Sequence, residues 1–161
     1  MKIGLISDSH DHIDNIRKAV QVFKDRGVSL VIHAGDTVSP PALKPFEGMR
    51  IAGIFGNNDG EQAGLSKMFG KLGGELGGDF LALEEGGRTI AVYHGTVPAL
   101  TEALVGCGRY DLVVTGHTHK MVNERIGETL LLNPGSAHGF GERATVMVVE
   151  TIDLEVEFVE L

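Results

Sequence analysis

The chain has 161 residues, 42% of them hydrophobic, which is enough for one sizeable core, so we expect residues 1–161 to form a single domain. Its formal net charge of −8 argues against a general nucleic-acid binder, because such a protein needs basic side chains to neutralise phosphates. A single cysteine, Cys107, and the lack of any signal-peptide pattern or long apolar run lead us to expect a cytoplasmic protein without disulfides or membrane spans.

The first half of the chain alternates between short aliphatic runs and amphipathic stretches. Aliphatic runs bounded by Gly, Asp and Asn are typical of buried strands in a parallel sheet. An apolar stripe from Ile13 to Phe23 predicts the first long helix, with Asp11 as its cap. A Gly-rich stretch, Gly70–Gly78, is predicted to be a flexible surface loop or a lid. The predicted elements are strand 2–7, helix 13–26, strand 28–33, a short helix 40–47, strand 50–55 and helix 60–72.

The second half of the chain is mostly extended. Glu85-Gly86-Gly87 separates two apolar runs and predicts a hairpin. A change from alternating strands and helices to strands with few helices favours two packed sheets with helices outside. The later predicted elements are helix 98–105 and strands 112–115, 121–126, 129–132, 144–151 and 154–160.

Seven potential metal ligands follow five of the predicted strands, at the point where each strand ends. Because open α/β sheets bind ligands at the carboxyl ends of their strands, we expect these side chains to converge on one rim. Two carboxylates, one amide oxygen and four imidazoles suit first-row divalent metals better than calcium, which prefers oxygen alone. The seven residues are Asp8, His10, Asp36, Asn57, His94, His117 and His119.

Two short motifs place ligands two residues apart. In Asp8-Ser9-His10, an extended backbone would point both side chains the same way, and Gly116-His117-Thr118-His119 repeats this spacing. Asp36 stands alone after its strand and is the natural bridging carboxylate, since it has two oxygens.

Each of these residues also has an ordinary structural interpretation. Taken singly, an Asp or Asn after a strand is more often a turn former or helix cap, and a lone histidine is more often structural. The joint pattern favours the metal site, because each of the seven residues lies just past a predicted strand. Two other histidines do not share this pattern: His12 begins a helix, and His33 ends a strand before the turn, as a structural or supporting residue. His138 follows a Gly-Ser turn, from which it could approach the rim.

The motifs Asp-x-His, Gly-Asp, Gly-Asn-x-Asp, a lone His after a strand, and Gly-His-Thr-His occur in that order. This set resembles the calcineurin-like metallophosphoesterase superfamily, and specifically its small, cap-less prokaryotic phosphodiesterase branch. Asn133-Pro134-Gly135-Ser136 also resembles a turn of that branch. The resemblance covers essentially the whole chain. It implies an α/β fold, a four-layer α-β-β-α sandwich of two mixed β-sheets with helices on the outside, and a two-metal site at the sheet edge.

The resemblance also implies how the ligands divide between two ions. Asp36 would bridge two divalent transition-metal ions, with manganese favoured and nickel, cobalt, iron and zinc compatible with the same donors. The first ion would be held by Asp8, His10, Asp36 and His119, and the second by Asp36, Asn57, His94 and His117.

Asn58 and Asp59 are the candidate catalytic residues implied by the resemblance. In most of the superfamily a histidine stands where this chain has Asn58, and it contacts the phosphate or protonates the leaving group. An amide can donate a hydrogen bond to a phosphoryl oxygen but cannot act as a general acid near neutral pH. Asp59 matches the carboxylate that orients that histidine, which leaves bracing the turn as its expected role here.

The expected function is a dinuclear-metal-dependent phosphoesterase that hydrolyses small phosphodiesters through a metal-bridging hydroxide. With two divalent ions, two aspartates and the hydroxide counted, a singly charged diester would bring the formal charge of the site to zero. A doubly charged monoester would leave the site negative. We expect no membrane association and no stable nucleic-acid binding, and self-association into a homo-oligomer is left open.

Three other functions remain open. The first is a phosphomonoesterase, protein phosphatase or dinucleoside polyphosphate hydrolase of the same fold, although few basic residues near the motifs could grip several phosphates. A non-catalytic protein-binding scaffold, like a eukaryotic trafficking subunit of the superfamily, predicts lost ligands, and all seven are present here. A nuclease is disfavoured by the acidic balance and the short chain.

Overall fold

Two mixed β-sheets lie face to face, with helices on their outer sides, in the computed structural model, which describes residues 1–161. The predicted four-layer architecture is therefore confirmed. None of the helices combines the length and hydrophobicity that crossing a bilayer requires. The helices are α1 (Ile13–Asp25), a 3-10 helix (Pro40–Phe46), α2 (Gln62–Lys71) and α3 (Pro98–Gly106). The strands are β1 (Lys2–Ile6), β2 (Leu30–His33), β3 (Ile51–Gly53), β4 (Glu75–Leu76), β5 (Phe80–Glu85), β6 (Arg88–Tyr93), β7 (Leu112–Val114), β8 (Met121–Ile126), β9 (Thr129–Pro134), β10 (Thr145–Glu150) and β11 (Val156–Glu160).

The strand order brings the carboxyl ends of the parallel strands together. The first sheet has the order β11-β10-β1-β2-β3-β4, and β1 to β4 run parallel. The second has the order β5-β6-β7-β9-β8, with β6, β7 and β9 parallel. β10 and β11 join the first sheet as antiparallel strands, as β5 and β8 do in the second.

The main core fills the space between the sheets. It is a cluster of 16 buried side chains from both sheets, such as Leu5 and Ile32 facing Val92 and Val114. The alternate residues of the first sheet face outward and pack under α1 and α2. α3 covers the second sheet more thinly, since Val105 is its only buried residue. The loops at the carboxyl ends of the strands are therefore set on a rigid double sheet.

The Gly70–Gly78 prediction of a loop or lid is wrong. Within this stretch, β4 adds to the edge of the first sheet, with Glu75 and Leu76 paired to β3. A Cβ on Gly74 would lie 2.7 Å from the carbonyl oxygen of Ile51, so glycine permits the close approach of the two strands. Glu75 and Leu76 are thus part of the sheet, and Gly74 and Gly77 on either side of them serve close packing, whereas a Cβ on Gly70, Gly73 or Gly78 would meet nothing within 4 Å.

The predicted cap of α1 is also wrong. Nδ1 of His12 accepts the backbone N–H of Asn15 at 3.2 Å, so His12 caps the helix. The carboxylate of Asp11 instead accepts the backbone N–H of Ser39 at 3.0 Å and ties the two loops together. The predicted helix 40–47 is a 3-10 helix, and Pro45, inside it, lacks the N–H that a regular α-helix would use.

Candidate metal centre

The predicted ligands meet at one rim, at the carboxyl ends of β1, β2, β3, β6 and β7. Oδ2 of Asp36 lies 3.4 Å from Nε2 of His10 and 3.5 Å from Nε2 of His94. Oδ1 of Asp8 lies 3.2 Å from Nε2 of His119 and 4.0 Å from Nε2 of His94. The two carboxylates are buried and stand at the centre of a ring of imidazoles.

Asn57 and His117 complete the ring on the side of His94. The amide oxygen of Asn57 lies 3.1 Å from Nε2 of His94 and 2.9 Å from Nδ1 of His117. One amide oxygen thus joins two imidazoles, which is the grouping expected for the second ion. All seven predicted ligands are brought together, although the ligand assignment itself stays a prediction.

The backbone reaches this arrangement through left-handed turns and not through extended segments. The expectation that Asp-x-His and His-x-His are extended is therefore wrong. Left-handed backbone is uncommon outside glycine, and it clusters at functional sites where the surrounding structure enforces it. Five of the seven predicted ligands have positive φ: Asp8 (52°), His10 (39°), Asp36 (58°), His117 (64°) and His119 (59°).

Two glycines make room for the carboxylates. A Cβ on Gly56 would collide with the side chain of Asp36, and a Cβ on Gly116 would collide with Ser7 and with Oδ2 of Asp8. The same oxygen of Asp8 accepts hydrogen bonds from the hydroxyl of Ser7 at 2.6 Å and from the backbone N–H of His117 at 3.0 Å. Asp8 is therefore fixed through one oxygen and keeps the other for the centre of the site.

Asp59 braces the turns that carry two of the ligands. Its buried carboxylate accepts the backbone N–H groups of Asp36 at 2.9 Å, Val38 at 2.6 Å and Gly56 at 2.7 Å. Burial raises the pKa of Asp59, although these three N–H donors act in the opposite direction. The sequence expectation of a turn-bracing role fits these contacts.

Asn58 lies directly against the predicted bridging carboxylate. Its backbone N–H donates to Oδ1 of Asp36 at 2.8 Å, and its side-chain amide donates to Oδ2 at 2.7 Å. Burial raises the pKa of Asp36, but hydrogen bonds from His94 and Asn58 outweigh that effect and hold it well below its usual range. Asp36 is therefore ionised at neutral pH, as a bridging ligand must be.

Two buried histidines have opposite electrostatic surroundings. Burial would lower the pKa of His94, yet hydrogen bonds to Asp36 and to the carbonyl of Ala34 raise it above its usual value. Burial and the neighbouring His94 lower the pKa of His33 to about 3, so His33 is neutral and serves as a hydrogen-bond partner for Ser9, at 3.0 Å. A proton on His94 would compete with a metal ion for the same nitrogen.

Unpartnered polar atoms show that the donors fit a cation. Oδ1 of Asp8 and Nε2 of His10 are buried and have no hydrogen-bond partner. Buried polar groups are normally satisfied, and two buried carboxylates this close repel each other unless a positive charge lies between them. Ligand atoms of Asp8, Asp36 and His94 lie within 4.8 Å of one another, and so do those of Asp8, His10 and His119. The residues present therefore fit divalent ions.

Some supporting residues carry a sequence signal and others do not. Asn133 donates to the carbonyl of Gly116 at 2.7 Å and to Oγ1 of Thr118 at 3.3 Å, so the Asn-Pro-Gly-Ser motif holds the His-x-His loop. Phe140 packs on the rings of His10 and His119, yet nothing in the pattern around it pointed to the site.

Comparisons with known proteins agree with this geometry. A model of the calcineurin-like phosphoesterase superfamily domain matches residues 1–153. A phosphodiesterase of Methanocaldococcus jannaschii is 40% identical over 143 residues, which span 87% of this chain and 86% of that protein. The solved structure of an archaeal phosphodiesterase superposes with a TM-score of 0.95 at 36% identity and covers 100% of both chains. Vps29 of Entamoeba histolytica superposes with a TM-score of 0.69 at 21% identity, covering 100% of this chain and 99% of its own, and so shares the fold.

Proposed function

The chain belongs to the calcineurin-like phosphoesterase superfamily, and on that basis we propose that it is a metal-dependent phosphodiesterase acting on small phosphodiesters. The observation that carries the proposal is the convergence of all seven donors on one rim, where Oδ1 of Asp8 and Nε2 of His10 are buried and unpartnered. The 40% identity to a phosphodiesterase over most of both chains supports the reaction class. Net charge and the single cysteine support the further proposals of a cytoplasmic protein that does not stably bind nucleic acid.

The proposed ligand sets follow the two halves of the ring. Asp8, His10 and His119 would hold the first ion and Asn57, His94 and His117 the second, with Asp36 shared. Manganese is the proposed metal, and nickel, cobalt, iron and zinc are compatible with the same donors. When bound, two divalent ions supply positive charge to the phosphoryl oxygens and ease the deprotonation of an attacking water.

Among the residues of the chain itself, Asn58 is placed to contact the substrate. Asn58 is exposed at the edge of the site, and its amide can donate to a phosphoryl oxygen if it turns from Asp36. It cannot donate a proton to the leaving oxygen at neutral pH, so departure depends on the leaving group's own acidity. We propose that this favours diesters with acidic leaving groups over unactivated monoesters.

The scaffold alternative has less support. Vps29 shares the fold at 21% identity, which says nothing about loss or retention of activity in this chain. Here the seven donors are present and their carboxylates are buried and fixed by dedicated hydrogen bonds. A degraded site would not keep such contacts.

Replacing Asn58 with histidine tests the proposed reaction and its missing general acid. Imidazole titrates near neutral pH, and general acid catalysis is typically worth roughly 10²–10⁴-fold when the geometry is right. We expect Asn58→His to show a shallower dependence of rate on leaving-group pKa and a relative gain on monoesters, with unchanged metal content. Rates would be measured on aryl phosphodiesters and phosphomonoesters of graded leaving-group pKa.

Asn58→Ala is the matched control, because it removes the amide without adding a proton donor. It should keep the steep leaving-group dependence of the parent. If Asn58→His has the parent's slope and monoester-to-diester ratio while retaining both metals, the missing-acid account is wrong. A parent that hydrolyses no diester with any added metal would remove the proposed function itself.

A further inference from the structure

We propose that Phe140 is a positioning residue for the first metal site. Its ring fixes the orientation of the imidazoles of His10 and His119, a role that hydrogen bonds usually perform. This inference rests on the proposed function, because it assumes that those imidazoles ligate a metal. It concerns a residue that lies in the loop between β9 and β10, outside every motif of the chain.

The contacts of the ring are specific. The ring of Phe140 lies parallel to that of His119, with an angle of 4° and centroids 4.8 Å apart. It meets the ring of His10 edge-on, at 4.9 Å, and stacks on His138 at 4.1 Å. One aromatic side chain thus contacts both histidines predicted for the first ion, and neither of those predicted for the second.

These two imidazoles lack the usual support of metal-binding histidines. A ligating histidine normally donates its second ring nitrogen to a carbonyl or carboxylate, which fixes the plane of the ring. His94 has this arrangement, with Nδ1 2.7 Å from the carbonyl oxygen of Ala34. For His10 and His119, only Nε2 lies near the carboxylates of the site, and Nδ1 has no protein acceptor. We infer that the contact with Phe140, flat against His119 and edge-on against His10, restricts the rotation of both rings.

The left-handed backbone conformation of Phe140 indicates that its side chain has a function at this position. Its φ of 44° lies in the left-handed region, which glycine or asparagine adopts far more readily than an aromatic residue. The side chain is also half-exposed, so it contributes little to the core. Strained residues persist where surrounding contacts over-determine them, and they cluster at functional sites.

The loop that carries Phe140 is hydrogen-bonded to the segment after β1 that carries Asp8. The backbone N–H of His138 donates to the carbonyl of Asp8 at 3.1 Å, and the hydroxyl of Ser136 donates to the same carbonyl at 3.0 Å. The backbone N–H of Phe140 then donates to Nδ1 of His138 at 3.0 Å. The ring is therefore held at a fixed place relative to Asp8, His10 and His119.

Replacing Phe140 with glycine separates positioning from folding. Glycine suits the left-handed backbone, so the thermal stability of the metal-free protein should change little. Removing an outer partner of a metal ligand typically weakens metal binding by about 10–100-fold. We expect Phe140→Gly to weaken one of two Co²⁺ or Mn²⁺ sites by that factor in calorimetric titrations, with anomalous scattering locating the loss at the Asp8–His119 side. Phe140→Tyr, which keeps the ring, should bind both ions as the parent does.

Phe80→Ala is the matched control, since Phe80 is also a partly exposed phenylalanine but lies on β5 against Tyr110. It should leave both metal sites unchanged. Phe140→Leu, which keeps apolar volume but has no planar ring, should weaken the same site as the glycine variant. If Phe140→Gly and Phe140→Leu bind two ions with the parent's affinities, the inference is overturned while the proposed function stands. A parent protein that binds no metal would overturn both.

Discussion

Replacing Asp36 with asparagine should leave the protein folded but unable to hold either metal ion tightly. One oxygen of Asp36 lies close to ligands of both proposed sites, 3.4 Å from Nε2 of His10 and 3.5 Å from that of His94, whereas Asp8 is 4.0 Å from His94. The substitution removes a shared negative charge, so the loss of metal affinity at both positions should exceed the roughly 10–100-fold typical of an outer partner. Diester hydrolysis should fall to near background. Elemental analysis and calorimetric metal titration measure the effect.

Asp111→Asn provides the control for this experiment. Asp111 also accepts local hydrogen bonds, from the backbone N–H of Thr89 at 2.8 Å and from its hydroxyl at 2.9 Å, but it lies before β7, at the opposite ends of the strands. Its replacement should leave two ions bound. If Asp36→Asn keeps two tightly bound ions and near-parent turnover, Asp36 is only a turn residue and the bridging role is wrong.

Replacing Asp59 with alanine should have the largest effect on stability. Three backbone N–H groups, those of Asp36, Val38 and Gly56, would lose their acceptor inside the fold. An unsatisfied buried donor costs about 1–3 kcal/mol, so we expect a loss on the order of 3–5 kcal/mol in the free energy of unfolding. For a chain of this length that corresponds to a fall of roughly 10 °C in Tm. Calorimetry of the metal-free protein measures it.

The same substitution should also disturb metal binding, because Asp36 and Asn57 sit on the turns that Asp59 holds. Asp153→Ala is the matched control: Asp153 likewise accepts a backbone N–H, that of Glu155 at 3.1 Å, but in an exposed turn. Its effect on stability should stay within about 1 kcal/mol. Equal changes in Tm for the two variants would contradict the bracing role of Asp59.

The position of the candidate metal ligands at one rim could be predicted from the sequence, because each of them follows the end of a strand. Short aliphatic runs mark buried parallel strands, and the residue after each run must lie at the carboxyl edge of a sheet. That logic places Asp8, Asp36 and His94 together although they are far apart in the chain. The helices on the outside follow from apolar stripes such as that of α1, where Ile16 and Phe23 are fully buried.

The local geometry of the rim could not be predicted in the same way. Left-handed conformations at Asp8, His10 and His119 depend on tertiary contacts, and neither periodicity nor spacing reports them. Two-residue β4 is too short to leave a pattern of its own, so the glycines around it predict a flexible loop instead of a strand. Phe140 has no periodic neighbours, and an exposed aromatic residue in a loop gives no signal until its contacts are seen.

The most direct test of a two-metal phosphodiesterase is metal content and diester hydrolysis measured on the same samples before and after chelation. The parent protein, loaded with Mn²⁺, should contain two ions per chain and hydrolyse an aryl phosphodiester. Activity should disappear with the ions on chelation and return as they are restored. Undiminished hydrolysis by the metal-free protein, or a loaded protein that holds two ions and hydrolyses no diester, would contradict the account.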